Sequence, residues 1–296
     1  MAHKRFCGKG RRLALLSLLL VFCLALSSCS FSLESALKEL KAYINGEEIA
    51  KPPADFVESR ENDEYAYDVY KSYVVITAYL GEDVEVKIPK KIDGTPVKVI
   101  AGLAFYESVA VESVKVPKGV TTLEDNAFYY CTALKSVELP ESLTTIGDKA
   151  FSWCSSLESI YLPDSITVIP DYCFNECTSL KSVVFSNELT KVGARAFSGC
   201  VSLETLAFGD KLDFLGNYAF RGCTALTSVV LPGDCIPEEM AFADCGESLY
   251  VVTQQDSPCW IACTEREIPL SQSGEVEIPD DTSSDTESET ETSEEI

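Results

Sequence analysis

The chain has 296 residues, 46% of them hydrophobic, and carries 24 lysines and arginines against 47 aspartates and glutamates. Enough apolar material is present for an ordered core, while the acidic balance argues against nucleic-acid binding, which needs clustered cations to contact phosphate. The only histidine is His3, inside a basic N-terminal stretch. If that stretch is removed, no imidazole remains for Ser–His–Asp or Cys–His catalysis or for a His-ligated metal.

Lys4, Arg5, Lys9, Arg11 and Arg12 precede an apolar run from Leu13 to Leu26, broken only by Ser17. The run suits a signal-peptide core and falls short of the ~20 residues that span a bilayer. It ends in Leu26-Ser27-Ser28-Cys29, which resembles a bacterial lipobox. Residues 1–28 are therefore expected to be a signal peptide, with lipid attachment at Cys29 anchoring the mature chain to the membrane. An ordinary signal peptide with a Cys beside small residues is the competing reading.

Residues 29–64 follow as a lipidated N-terminus, a short amphipathic helix over Ser32 to Asn45, and a Pro-containing linker from Lys51 to Glu64. Residues 65–100 change to strand-like alternation, through Tyr67, Val69, Tyr73 to Ile76, Tyr79, Val84, Val86 and Ile88, and predict a β cap.

Residues 101–270 are a repeat. Phe105, Phe128, Phe151, Phe174, Phe197, Phe220 and Phe242 are spaced 23 apart five times and then 22. Ala precedes six of the seven, Cys173 being the exception. Three residues after the Phe stand Cys131, Cys154, Cys177, Cys200, Cys223 and Cys245, with Ser108 in the first copy. Leu, Val, Ile or Phe recurs six, nine and eleven positions on, and an apolar pair such as Leu143 and Ile146 closes each copy. A unit of this size cannot bury its own apolar face, but stacked rungs align equal side chains into continuous columns. The alternating part of Leu-x-x-Val-x-Leu-Pro predicts one strand per rung and a parallel sheet along one side. The Ala-Phe pair belongs to a compact turn on the other. Residues 271–296 hold ten acids and no base among Ser and Thr, and predict a disordered acidic tail.

Ser142-Leu143-Thr144-Thr145-Ile146-Gly147-Asp148-Lys149-Ala150-Phe151, followed by Cys154, Leu157, Ile160, Leu162 and Pro163, resembles the BspA-like, or Treponema-type, leucine-rich repeat of bacterial surface proteins. The lead-in with Ile76, Tyr79, Ile88-Pro89 and Asp93-Gly94 is similar to that family's as well. The resemblance covers roughly residues 65–270. It implies an α/β leucine-rich-repeat solenoid, a right-handed horseshoe or superhelix with short turns or helices on the far side, located at the cell surface. It also implies contact with host or matrix. Ser186, Gly209, Cys235 and the short last copy depart from the pattern and predict a weakened C-terminal end, followed by a closing helix from Cys259 to Glu267.

Candidate sites are few, and neither catalytic residues, a metal nor a cofactor is expected. The cysteine column reads as small buried groups filling a groove, since parallel side chains neither converge on a disulfide nor surround an ion. Cys259 and Cys263 read as helix packing. Ten after each Phe, where a glycosidase would need two carboxylates, the sheet face offers only Glu138 among Lys115, Tyr161, Val184, Ala207 and Val230. Two binding candidates remain. Tyr106, Tyr129, Tyr130 and Trp153 fall one or two after the Phe on three neighbouring rungs, either as a contact surface or as local packing. Tyr161 and Val184 put apolar groups on the sheet face. The expected function is a lipid-anchored surface protein making adhesive contact with host or matrix protein; the alternative is glycan capture serving separate enzymes, and a spacer that binds nothing is a third possibility.

Overall fold

The computed structural model describes residues 53–271. Cys29, the signal segment, the Ser32–Asn45 helix and the acidic tail beyond Ser271 lie outside the described residues.

The described chain opens with three antiparallel strands, β1 (Phe56–Glu61), β2 (Tyr65–Tyr70) and β3 (Val74–Tyr79). β1 corrects the expectation of a linker over Lys51 to Glu64. Five of its six residues are exposed, so it carries no alternation to read, and it is held by its ladder to β2. β4 (Glu85–Lys87), β5 (Lys91–Ile92) and β6 (Thr95–Ile100) follow.

Each later rung contributes two short parallel strands. The expected row runs through β7 (Ser113–Lys115), β9 (Ser136–Glu138), β11 (Ser159–Tyr161), β13 (Ser182–Val184), β15 (Thr205–Ala207), β17 (Ser228–Val230) and β19 (Tyr250–Val252), paired in three segments, β4 with β7 and β9, β11 with β13, and β15 with β17 and β19. It is centred on the residue nine after each Phe, with partners 23 apart, as in Ile160 beside Val183, and 22 apart at β17 and β19. A second row, which the repeat pattern does not announce, is built from β8 (Thr122–Leu123) and β10 (Thr145–Ile146) in one segment, and β12 (Val168–Ile169), β14 (Lys191–Val192), β16 (Phe214–Leu215) and β18 (Ile236–Pro237) in another. It uses the second member of each closing apolar pair, as Ile146 and Ile169, two residues being too few to show period-2 alternation.

The cap is continuous with both rows. β4 pairs in parallel with β7, and β6 lies between β3 and β8. Tyr79 stacks on Phe105 with centroids 5.1 Å apart, and its N–H donates to the Ala104 carbonyl, as the Phe105 N–H does to Ala127. Ala78-Tyr79 thus stands where Ala-Phe stands later, making the end of the cap a rung of the array.

Inside, the Phe rings from Phe105 to Phe242 stack in one file at centroid separations of 4.8 to 5.6 Å. Leu134, Leu157, Leu180, Leu203 and Leu226 form a second buried file. The far side is made of turns, and the one helix among the described residues is α1 (Pro258–Glu265). Ser257 caps it, accepting from the Trp260 N–H at 3.2 Å. Its Cys259, Ala262 and Cys263 are buried, and Leu270 bridges to Val251 beyond the last strand. The C-terminal end is thus closed rather than weakened. Cys235 replaces Leu in its column without exposure, and the lost residue falls beside it, since Leu215 pairs with Pro237 only 22 positions on.

Candidate functional site

The turn segment, from four residues before each Phe to two after, sets the geometry of the exposed ridge. Its backbone is satisfied in two ways. Alternate N–H groups donate to the next rung: Asn126 to Asp148, Phe128 to Ala150 and Tyr130 to Ser152, at 2.8 to 2.9 Å. Those between bond locally, as Ala127 does to Glu124 and Tyr129 to Asn126. This accounts for the buried backbone without a helix. Two slots per rung are left-handed. Two before the Phe these are Leu103, Asn126, Lys149, Tyr172, Arg195 and Tyr218, with φ from 54° to 64°. Two after it, Glu107, Tyr130, Trp153, Glu176, Gly199, Gly222 and Asp244 have φ from 53° to 79°. For bulky residues such a conformation costs about 1–2 kcal/mol.

Tyr106 stacks on Tyr129 at 6.0 Å with planes 7° apart. Tyr129 meets Tyr130 at 6.3 Å, and Tyr130 meets Trp153 at 6.1 Å, both tilted. The structure therefore brings the four rings into one chain of contacts. Tyr129 is the buried member, whereas Tyr130 and Trp153 keep 37% and 41% of their surface exposed, which leaves a large apolar area for a partner. Both occupy the slot that Gly199 and Gly222 fill on later rungs. Such ring contacts return about 0.5–1.5 kcal/mol each, close to the backbone cost, so the fold gains little from them.

The sheet-face pair stands apart from this edge. Tyr161 and Val184 are direct neighbours on β11 and β13, 49% and 55% exposed. Exposed Ala207 and half-buried Val230 and Val252 continue their column.

A further ridge feature escaped the sequence reading. Lys149 lies over the Tyr172 ring at 5.3 Å, Arg195 lies 5.9 Å from Tyr172 and 4.7 Å from Tyr218, and Arg221 lies 5.5 Å from Tyr218. The 23-residue spacing of Lys149, Tyr172, Arg195 and Tyr218 was its visible signal. Beside it, the carboxylates of Asp125, Asp148 and Asp171 each accept an N–H from the next rung, at 2.9, 3.2 and 2.7 Å. Burial, with the charges of Asp125 and Asp171 adding to it, raises the Asp148 carboxyl above its ordinary pKa.

The cysteine column is structural. Each thiol donates to the carbonyl of the preceding rung's Phe: Cys131 to Phe105 at 2.9 Å, Cys154 to Phe128 at 3.2 Å, and so on to Cys245 and Phe220 at 3.1 Å. The ten cysteines among the described residues are unbridged, and burial holds the thiols of Cys154, Cys173, Cys200 and Cys223 well above the ordinary range. They are poor nucleophiles and poor metal ligands in that state. Among the described residues no group of three or more His, Cys, Asp or Glu is placed to hold a metal.

Residues 98–227 match the family model described as BspA type Leucine rich repeat region, in six copies. Residues 98–227 are a BspA-type leucine-rich repeat region. Among solved structures, a leucine-rich repeat protein from Eubacterium ventriosum is 24% identical, over 69% of this chain and 53% of its own, with a TM-score of 0.57. The pneumococcal vaccine antigen PcpA is 18% identical over 66% of each chain, with a TM-score of 0.51. Both share the fold of the BspA-type array. A leucine-rich repeat protein of T. pallidum is 27% identical over 66% of this chain and 86% of its own, at a TM-score of 0.43. A search of curated proteins finds no match to the chain. Among the described residues, no helix is long and apolar enough to cross a membrane.

Proposed function

We propose that the chain is a surface-displayed, non-catalytic binding module, tethered by lipid at Cys29, whose BspA-type array makes adhesive contact with a host or matrix protein. The tether rests on the apolar run ending in Leu26-Ser27-Ser28-Cys29. The binding role rests on one observation, the four-ring edge of Tyr106, Tyr129, Tyr130 and Trp153, exposed at Tyr130 and Trp153, which occupies slots where the same fold accepts Ser, Asn and Gly. Apolar rings that the core does not need are the usual anchors of protein contacts. The ring geometry favours protein over the glycan alternative. Tyr106 and Tyr129 cover each other's faces, so they do not lie side by side as a platform for sugar stacking.

Binding of the full chain to immobilised matrix proteins and to mucin tests this reading. Loss of capture in the double variant Tyr130→Ala, Trp153→Ala, with retention in Val184→Glu, supports the edge. Loss in Val184→Glu alone moves the contact to the sheet face. For the tether, Cys29→Ala should shift the protein out of the membrane fraction or leave its signal segment uncleaved.

A further inference from the structure

We propose that the tyrosine-clamped Arg195, with Lys149 two rungs away, is a binding site for an acidic polysaccharide, a sugar chain bearing carboxylate or sulfate groups. It lies apart from the aromatic edge and does not depend on it. Arg195 has Tyr172 on one neighbouring rung and Tyr218 on the other, its guanidinium 5.9 and 4.7 Å from the two rings. Three large side chains in succession hold left-handed backbone, at φ 58°, 54° and 60°, in a slot where Asn126 shows that a small residue serves.

A guanidinium held between rings keeps its faces covered and its in-plane N–H fork outward, which is the geometry that receives a carboxylate or sulfate through two bonds. Among the described residues no acid takes that role. Arg60 and Arg221 are paired with acids, whereas Arg195 forms no ion pair among the described residues. The acids near it belong to the preceding rung, where Asp171 accepts the Ala194 N–H at 2.7 Å and the Glu176 carboxylate lies against Gly199. The aspartate ladder of the slot three before the Phe ends at Asp171, and Ala194 and Asn217 follow it on the next two rungs. The turn segments 193–199 and 216–222 carry Arg195 and Arg221 and no acid, in a chain whose formal net charge is −23.

A sugar chain fits this ridge better than an acidic peptide. The turn spends its N–H groups within and between rungs, so an extended peptide finds no strand to pair with. Two rungs separate Lys149 from Arg195, about 10 Å at the usual strand spacing. A polymer with regularly placed anions can meet both cations without needing main-chain partners.

The test is calorimetric titration of the full chain with a heparin octasaccharide, an oligogalacturonate, neutral dextran and polyglutamate at low and high salt. The expected result is salt-sensitive binding of one or both acidic sugars and none of dextran, the better of the two telling sulfate from carboxylate. Arg195→Asn keeps a residue that tolerates the left-handed slot and should weaken binding about tenfold or more, as loss of a charge-assisted fork does. Arg195→Lys, which keeps the charge but not the fork, should fall between. The thermal midpoint of each variant should stay near that of the parent. Binding unchanged in Arg195→Asn, or absent for both acidic sugars, overturns the proposal. Equal or tighter binding of polyglutamate overturns it in favour of an acidic peptide.

Discussion

Two turns of the array, 147–153 and 193–199, share an interior and differ outside. Gly147 and Gly193, Ala150 and Ala196, Phe151 and Phe197, and Ser152 and Ser198 coincide; Asp148, Lys149 and Trp153 stand against Ala194, Arg195 and Gly199. The coincident side chains are buried at 7% exposure or less, apart from the glycines, which lie against the preceding rung. The differing ones share their backbone: Lys149 and Arg195 at φ 57° and 54°, Trp153 and Gly199 at 64° and 79°. Stacking therefore dictates the interior and leaves the ridge free, so ridge chemistry can be chosen for a partner.

The interior should yield the largest effect. Phe151 is fully buried and stacked at 5.3 Å on Phe128 and 5.4 Å on Phe174. Phe151→Ala removes a ring from mid-file and should cost about 3–5 kcal/mol. Because rungs touch only their neighbours, the loss should also broaden chemical unfolding, the two halves beginning to melt separately. Phe197→Ala should behave alike. A cost below about 1 kcal/mol in either would mean that the file does not hold the stack together.

Gly147 sharpens the same division at the backbone. A Cβ there would lie 2.4 Å from the Asp125 nitrogen and 2.6 Å from the Glu124 carbonyl carbon, both main chain of the preceding rung. Gly147→Ala must push two rungs apart and should cost about 1–3 kcal/mol, read as a fall in thermal midpoint. The glycine answers to close approach, not to left-handed backbone, which occupies other slots.

The sequence showed the interior because period and side chain agree there: the Phe, Cys and Leu columns each bury one group per rung. It hid β1, whose residues face water, and the second row, whose strands are two residues long. It hid the left-handed slots as well, since Asn126, Gly199 and Gly222 are scattered among Lys, Tyr, Arg and Trp. The aromatic edge was visible as surplus rings, but not the arrangement in which Tyr106 and Tyr129 cover each other. Arg195 passed unnoticed because its significance lies in rings 23 residues away on either side.

Trp153→Gly tests the ridge directly. It installs the residue that later rungs carry, relieving a left-handed cost of about 1–2 kcal/mol. It also forfeits a ring contact worth about 0.5–1.5 kcal/mol and some buried surface. Stability should change by no more than about 1 kcal/mol, while matrix-protein capture should fall. A loss as large as that of Phe151→Ala would place Trp153 with the interior.

The smallest effect belongs to Asp148, which stands where the later turn has Ala194. Its carboxylate is part-buried between Asp125 and Asp171, and its pKa is raised. A folded pKa above the unfolded one means that the native state takes up the proton more readily. The ionised group therefore subtracts from stability at neutral pH, and this penalty fades as pH falls through the raised value toward the ordinary carboxylate range. Asp148→Asn keeps an oxygen to accept the Asp171 N–H, held at 3.2 Å in the parent, and removes the charge. The variant should melt slightly above the parent at pH 7. The gap should narrow on acidification and close once both states of the parent are protonated, below roughly pH 3. Comparing the two midpoints at each pH cancels the titration of every other acid in this strongly acidic chain. A gap that widens as pH falls would mean that the Asp148 carboxylate stabilises the ladder, and that Ala194 marks a loss on the later rung, not a release.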